Sequence, residues 1–239
     1  MTILALAALV SAYAVVLLWR GRLWLPVPVP IAARHGRWAI GLWLGYGLPA
    51  LMFLALAGQW DALLSLPPAF LPLSASLDLR PGDIGFGTVA TGLAGGSVLG
   101  LFATWWRARR GRPPWTAGDA RAIMPTSDAE LLPATALAIS AGVTEELFFR
   151  LALPLALTLL TGVPAIGCGL GIACFAAMHR YQGRVGVVAT AIGGALMTVL
   201  YLGSGALWLP IAAHALTDLN ALVLRPAFSG RIRRRAVRR

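Results

Sequence analysis

Long apolar stretches separated by short polar connections run through the chain from its first residues. Thr2–Trp19 is apolar over enough residues to cross a bilayer core, which takes about 20 residues of helix at about 1.5 Å each. Trp38–Gly58, Ile84–Trp106, Pro164–His179, Val185–Leu202 and Ala206–Leu224 repeat the pattern. Glu130–Leu160 is too long for one straight crossing and holds Pro133 and Pro154, which predicts a long or broken helix. These segments predict an all-α polytopic membrane protein of seven transmembrane helices, with eight, made by splitting Glu130–Leu160, as the alternative.

The connections divide by charge. Arg20 and Arg22 follow the first span, prolines alternating with apolar residues in Trp24–Pro30 stop any helix, and Arg34 and Arg37 close a basic loop that also holds His35. Arg107, Arg109, Arg110, Arg112 and Arg121 make a second basic connection, Arg180 and Arg184 a third, and the tail Arg225–Arg239 is densely basic. By contrast, Gln59–Asp83 carries Asp61, Asp78 and Asp83 against Arg80, and Gly203-Ser204-Gly205 is uncharged. Seven crossings with the N-terminus outside put every arginine-bearing connection on the cytoplasmic side, the C-terminal tail included. A cleavable signal peptide would carry its positive charge before the apolar run, so the first helix is read as retained.

Composition sharpens this picture. Of 239 residues 58% are hydrophobic and 12% charged, outside the balance of a soluble domain. The net charge of +11 comes from twenty basic residues, all arginine, against nine acids. Because they sit in short loops and the tail, they imply orientation in a bilayer with anionic headgroups and not nucleic-acid binding. The alanine-, glycine- and arginine-rich sequence looks bacterial, which places the chain in the plasma membrane as a multi-pass protein. Cys168 and Cys174 lie between small apolar residues and read as reduced packing residues. The chain divides into a three-helix membrane region with basic loops, 1–128, a core, 129–224, and the basic tail, 225–239.

Within the apolar segments the first three spans hold no charge between their ends, whereas the last four contribute Glu145, Glu146, Arg150, His179, His214 and Asp218. An ionisable side chain inside a membrane segment costs about 2.5–3.5 kcal/mol on insertion scales, so such groups are paired, hydrated or functional. Glu146 and Arg150, four apart on a helix, can neutralise one another. Glu145 is rotated by about 100° and need not share that partner. Phe175 and His179 share one helix face and His214 and Asp218 another, so three helices can present Glu145, His179 and His214 to a common cavity. Thr144 reads as a packing hydroxyl bonded to an upstream carbonyl.

One carboxylate and two imidazoles suit hydrolysis. A glutamate in a partly dry site is a strong base toward water once ionised, one histidine can fix the water, and a second with Asp218 can face the developing oxyanion. No serine or cysteine occupies a comparable nucleophile position. The same three groups, Glu145, His179 and His214, would also serve as a zinc set with an open position. The two-histidine helical motif of the zincins is absent, which favours catalysis without a cofactor. A proton-coupled transporter would use similar groups, but no internal repeat links the two halves. A non-catalytic immunity or scaffold protein is the remaining class. The glycines Gly167, Gly169, Gly171, Gly193 and Gly194 allow close helix packing or close substrate approach.

Glu145-Glu146-Leu147-Phe148-Phe149-Arg150 resembles the paired-glutamate and arginine motif of the CPBP family of intramembrane proteases, which includes CAAX-processing endopeptidases and bacteriocin-related Abi proteins. Phe175-Ala176-Ala177-Met178-His179 and His214-Ala215-Leu216-Thr217-Asp218 resemble its second and third motifs in order and spacing. The resemblance covers about 131–224. It implies a membrane-embedded peptide-bond hydrolase with Glu145 as water-activating base, His179 assisting, His214 and Asp218 on the oxyanion side, and Glu146, Arg150 and Phe175 supporting the site. Asp218 stands where many members carry asparagine, so it must be protonated, orient His214 or bind a cation. The implied substrate is a membrane-anchored protein or peptide.

Overall fold

The computed structural model describes residues 2–20, 31–112, 115–121 and 123–229. The proline-rich stretch Trp24–Pro30 and residues 230–239 of the basic tail lie outside them. In chain order, α1 is Ile3–Arg20 and α2 Ile31–Leu42, which runs through a π-helical turn, Trp43–Gly47, into α3, Leu48–Leu56. A connection with the short helix α4, Leu71–Ser76, leads to α5, Phe86–Arg109. Then α6, Leu131–Glu146, continues through the π turn Leu147–Ala152 into α7, Leu153–Thr161. The chain ends with α8, Pro164–Met178, α9, Gly183–Ser204, and α10, Trp208–Leu219, whose π turn Asn220–Leu224 leads into α11, Arg225–Phe228. Among the described residues the fold is all-helical.

The α6–α7 unit is the axis. Phe148, Leu151, Ala152 and Ala156 are wholly buried, and Glu146 and Arg150 lie in the same run. It is enclosed by α2 and α10 along α6 and by α1 and α8 along α7. Small residues make this possible. A Cβ on Gly142 would lie 2.7 Å from both Cβ and N of Ala215, so α6 and α10 touch backbone to backbone there. Gly171 and Gly167 bring α8 equally close to Pro154 and Thr158 of α7, and Gly194 sets α9 against Phe175. Gly169 and Gly193 have open space instead.

Boundaries differ from expectation in informative places. Ala33–Leu56, Phe86–Arg109 and Arg180–Ser204 are long and apolar enough to cross a membrane, with Ile3–Trp19 and Pro164–Met178 as shorter apolar helices. The structure therefore shows three candidate spans among the described residues, and the number seven or eight is not reached on this criterion. The second helix starts before Trp38, so Arg34 and Arg37 are helical. His35 is likewise on α2 and not in a loop: it is fully buried, and its Nε2–H donates to the Ile123 carbonyl at 2.8 Å. The acidic connection Gln59–Asp83 is folded, not loose, with Phe70 fully buried and Gly82 N and Ile84 N both donating to the Gly203 carbonyl. Helix also continues past Leu224 to Phe228, into what the arginine density marked as tail.

Candidate functional site

The last turn of α6 carries Glu145 and Glu146, both buried, and the π turn that follows carries Arg150. A π turn packs one extra residue into the helical circuit, and Arg150 closes back on Glu146 across it, with Nε 3.1 Å from Oε2. The guanidinium lies over the Phe175 ring, its Cζ 4.0 Å from the centroid. This buried cation is thus held by one carboxylate edge and one aromatic face. Thr144 is occupied by its own helix, with Oγ1 donating to the Ser140 carbonyl.

Glu146 has a second partner. His214 of α10 places Nδ1 2.6 Å from Glu146 Oε1. A carboxylate can only accept, so Nδ1 carries a proton and the imidazole orientation is fixed. The opposite edge of the ring, Nε2, then lies 3.8 Å from Glu145 Oε2 and 3.7 Å from Asp218 Oδ2. Those separations exceed a direct hydrogen bond and match groups that share a bridging molecule. The tight contact between Gly142 and Ala215, the residue after His214, sets how closely α10 brings this ring to the glutamates.

His179 sits at the end of α8. Its Nδ1–H donates to the Phe175 carbonyl at 2.9 Å, which leaves Nε2 as the lone-pair edge. Its ring packs on Phe175, centroids 4.8 Å apart, and on Tyr181 at 5.9 Å. Among the described residues it has no hydrogen bond to Glu145 or His214, and it lines the same cavity as they do. That cavity holds about 800 Å³ and is bordered by Glu145, Arg150, Phe175, His179, His214 and Asp218. Its remaining walls are largely apolar and aromatic, among them Trp38, Tyr46, Met124, Met178 and Leu222.

The structure thus brings Glu145, Glu146, Arg150, Phe175, His214 and Asp218 into one contiguous cluster, which His179 joins through the Phe175 ring. Among the described residues no three of His, Cys, Asp and Glu are arranged to hold a metal ion. Cys168 and Cys174 are free thiols that do not line the cavity. Two cavity groups escaped the motif reading, Tyr46 and Tyr181. Tyr46 belongs to the π turn between α2 and α3, and nothing in the apolar periodicity of that span marks it.

The loop between α5 and α6 closes one side of the cavity through Trp115, Ala120, Arg121 and Met124. It is tied down by Asp119 N donating to the Gln182 carbonyl and by His35.

Neither curated proteins nor solved structures give a match to the chain. Residues 127–220, which hold every charged group of the cluster, match the family described as type II CAAX prenyl endopeptidase Rce1-like, and the CPBP likeness carried by the three motifs is thereby shown for this part of the chain.

Proposed function

We propose that the protein is an intramembrane endopeptidase that hydrolyses a peptide bond in a membrane-associated protein or peptide, with water activated by Glu145 as the nucleophile. The observation that carries this reading is the division of labour within the carboxylate pair. Glu146 is bound on both oxygens, by Arg150 and by His214, while Glu145 has no direct hydrogen bond among the described residues and borders the cavity. A carboxylate already neutralised by an arginine makes a poor base, and its neighbour, 3.8 Å from His214 Nε2 and on the cavity wall, is the group able to take a proton from water. The family match supports the reaction class, since such endopeptidases cleave peptide bonds next to a lipid-bearing residue. The apolar cavity wall suits a substrate that arrives with a hydrophobic segment or lipid.

In this reading Glu145 removes the proton from water as the oxygen attacks the carbonyl carbon. His179, with Nε2 as acceptor, holds the second water hydrogen. Asp218 and His214 border the opposite side, and Glu146 with Arg150 fixes the His214 ring. No metal enters the proposal: activity unchanged after verified metal removal is the expected result, and its loss with restoration by zinc would replace the mechanism.

The test is comparative peptidomics of membranes and medium from cells expressing the wild type or Glu145→Ala at equal inserted levels. Peptides released only by the wild type are expected. An identical peptide inventory from the two strains would remove the protease reading.

A further inference from the structure

Resting on that reading, we infer that Tyr46, from the N-terminal half of the chain and outside the matched region, is a further catalytic residue whose phenolic O–H donates to the oxyanion formed during hydrolysis.

Attack of water on a peptide carbonyl forms a C–O bond, moves the π electron pair onto the carbonyl oxygen and passes one proton to Glu145. When the C–N bond then breaks, that proton goes to the departing nitrogen. The oxygen needs a hydrogen-bond donor at the moment it becomes charged. The donors of the charged cluster are nearly all committed. His214 gives Nδ1–H to Glu146, and its other edge faces two carboxylates. His179 gives Nδ1–H to a backbone carbonyl. The three guanidinium nitrogens of Arg150 are completely buried between Glu146, Phe175 and Gly194, so no substrate atom reaches them without repacking.

Tyr46 is different. Its ring packs against Phe148, at 5.5 Å, and Phe149, at 5.0 Å, both in the π turn that follows the glutamate pair. Only 5% of the residue is exposed, and it lines the cavity. No group among the described residues hydrogen-bonds its hydroxyl, which keeps accessible surface where the arginine nitrogens have none. The next residue, Gly47, abuts Thr144, since a Cβ there would lie 3.0 Å from Thr144 Cγ2. The phenol is thus fixed against two rings of the π turn that follows the base. A rigid donor of this kind is prepaid for the transition state. Tyr181, the other cavity tyrosine, already accepts from Gln182 Nε2 and is 37% exposed.

The experiment compares wild type, Tyr46→Phe, Tyr181→Phe and Glu145→Ala on one peptide whose release depends on Glu145. Tyr46→Phe keeps the ring stack, so an unchanged melting temperature is expected. Its kcat should fall about 100-fold with KM unchanged, the scale of removing one oxyanion donor. Tyr181→Phe should stay near wild type. A Tyr46→Phe enzyme within about threefold of wild-type kcat, or one altered only in KM, would overturn the assignment. So would a loss confined to Tyr181→Phe. Absence of any Glu145-dependent peptide instead removes the protease reading on which the inference stands, and it is recognised before any tyrosine variant is measured.

Discussion

At the residue scale the decisive feature is that Glu146, wholly buried, serves two masters: it neutralises Arg150 and fixes the tautomer of His214. Removing Arg150 strands a buried carboxylate, and breaking a buried pair from one side costs about 3–5 kcal/mol. Arg150→Met is therefore expected to lower unfolding stability in mixed micelles by about that amount. The double variant Glu146→Leu/Arg150→Met should recover much of the stability, because apolar replacement of a whole buried pair is often neutral. It should remain inactive, because His214 loses its acceptor. A double variant no more stable than the single one would show that the ion pair is not what Arg150 is for. The i,i+4 spacing made this pair legible from the sequence alone. The bond from Glu146 to His214 was not, because it joins positions 68 residues apart and rests on how closely α6 meets α10.

That closeness is a property of elements. Gly142 and Ala215 allow a backbone contact that positions His214, and a methyl at 142 would have to occupy space already held by Ala215. Gly142→Ala is expected to destabilise by about 1–3 kcal/mol, the usual cost of overpacking, and to reduce cleavage through displacement of His214. Gly193→Ala, in open space on the cavity side of α9, should be close to neutral for stability. Equal thermal shifts for the two variants would contradict the packing argument. Element positions were largely readable from apolar runs, since lipid and protein interior both demand apolar residues over a helix length. Three π turns, at Trp43–Gly47, Leu147–Ala152 and Asn220–Leu224, were not readable. Each adds one residue to a helical circuit without changing composition, so hydropathy passes over it. These turns decide where Tyr46 and Arg150 point. His35 was misplaced in a loop for a related reason: the arginines beside it suggested a connection, whereas α2 begins before them and buries His35 against Ile123.

Across the whole molecule, α9 gives the scale, its 22 residues spanning about 33 Å. At its C-terminal end Gly203 receives the acidic connection through Gly82 and Ile84, and at its N-terminal end Gln182 receives the arginine-bearing loop through Asp119. These two connections thus meet opposite ends of α9, and the arginine-bearing one lines the cavity. Within that loop the Arg121 hydrogen bonds hold the Asp119 carboxyl down to about 2. A depressed carboxyl keeps its contribution above the unfolded pKa of about 4 and loses it only as pH falls through the folded value. Between pH 5 and 9 the pair is therefore constant and adds no pH dependence to cleavage in that window. Gly118 anchors the same loop with a φ of +89°, and a Cβ there would lie 2.7 Å from both the Gln182 carbonyl oxygen and Gly186 Cα. A β-branched residue meets both penalties at once, the left-handed backbone and the clash. Gly118→Val should therefore release the loop from α9 while leaving the helical bundle folded. Limited trypsin digestion of purified protein in micelles should cut after Arg121 at least tenfold faster in the variant, with circular dichroism unchanged. An unaltered cleavage rate would mean that the loop is held by His35 and its apolar contacts alone, and the cavity would then keep its cover without Gly118.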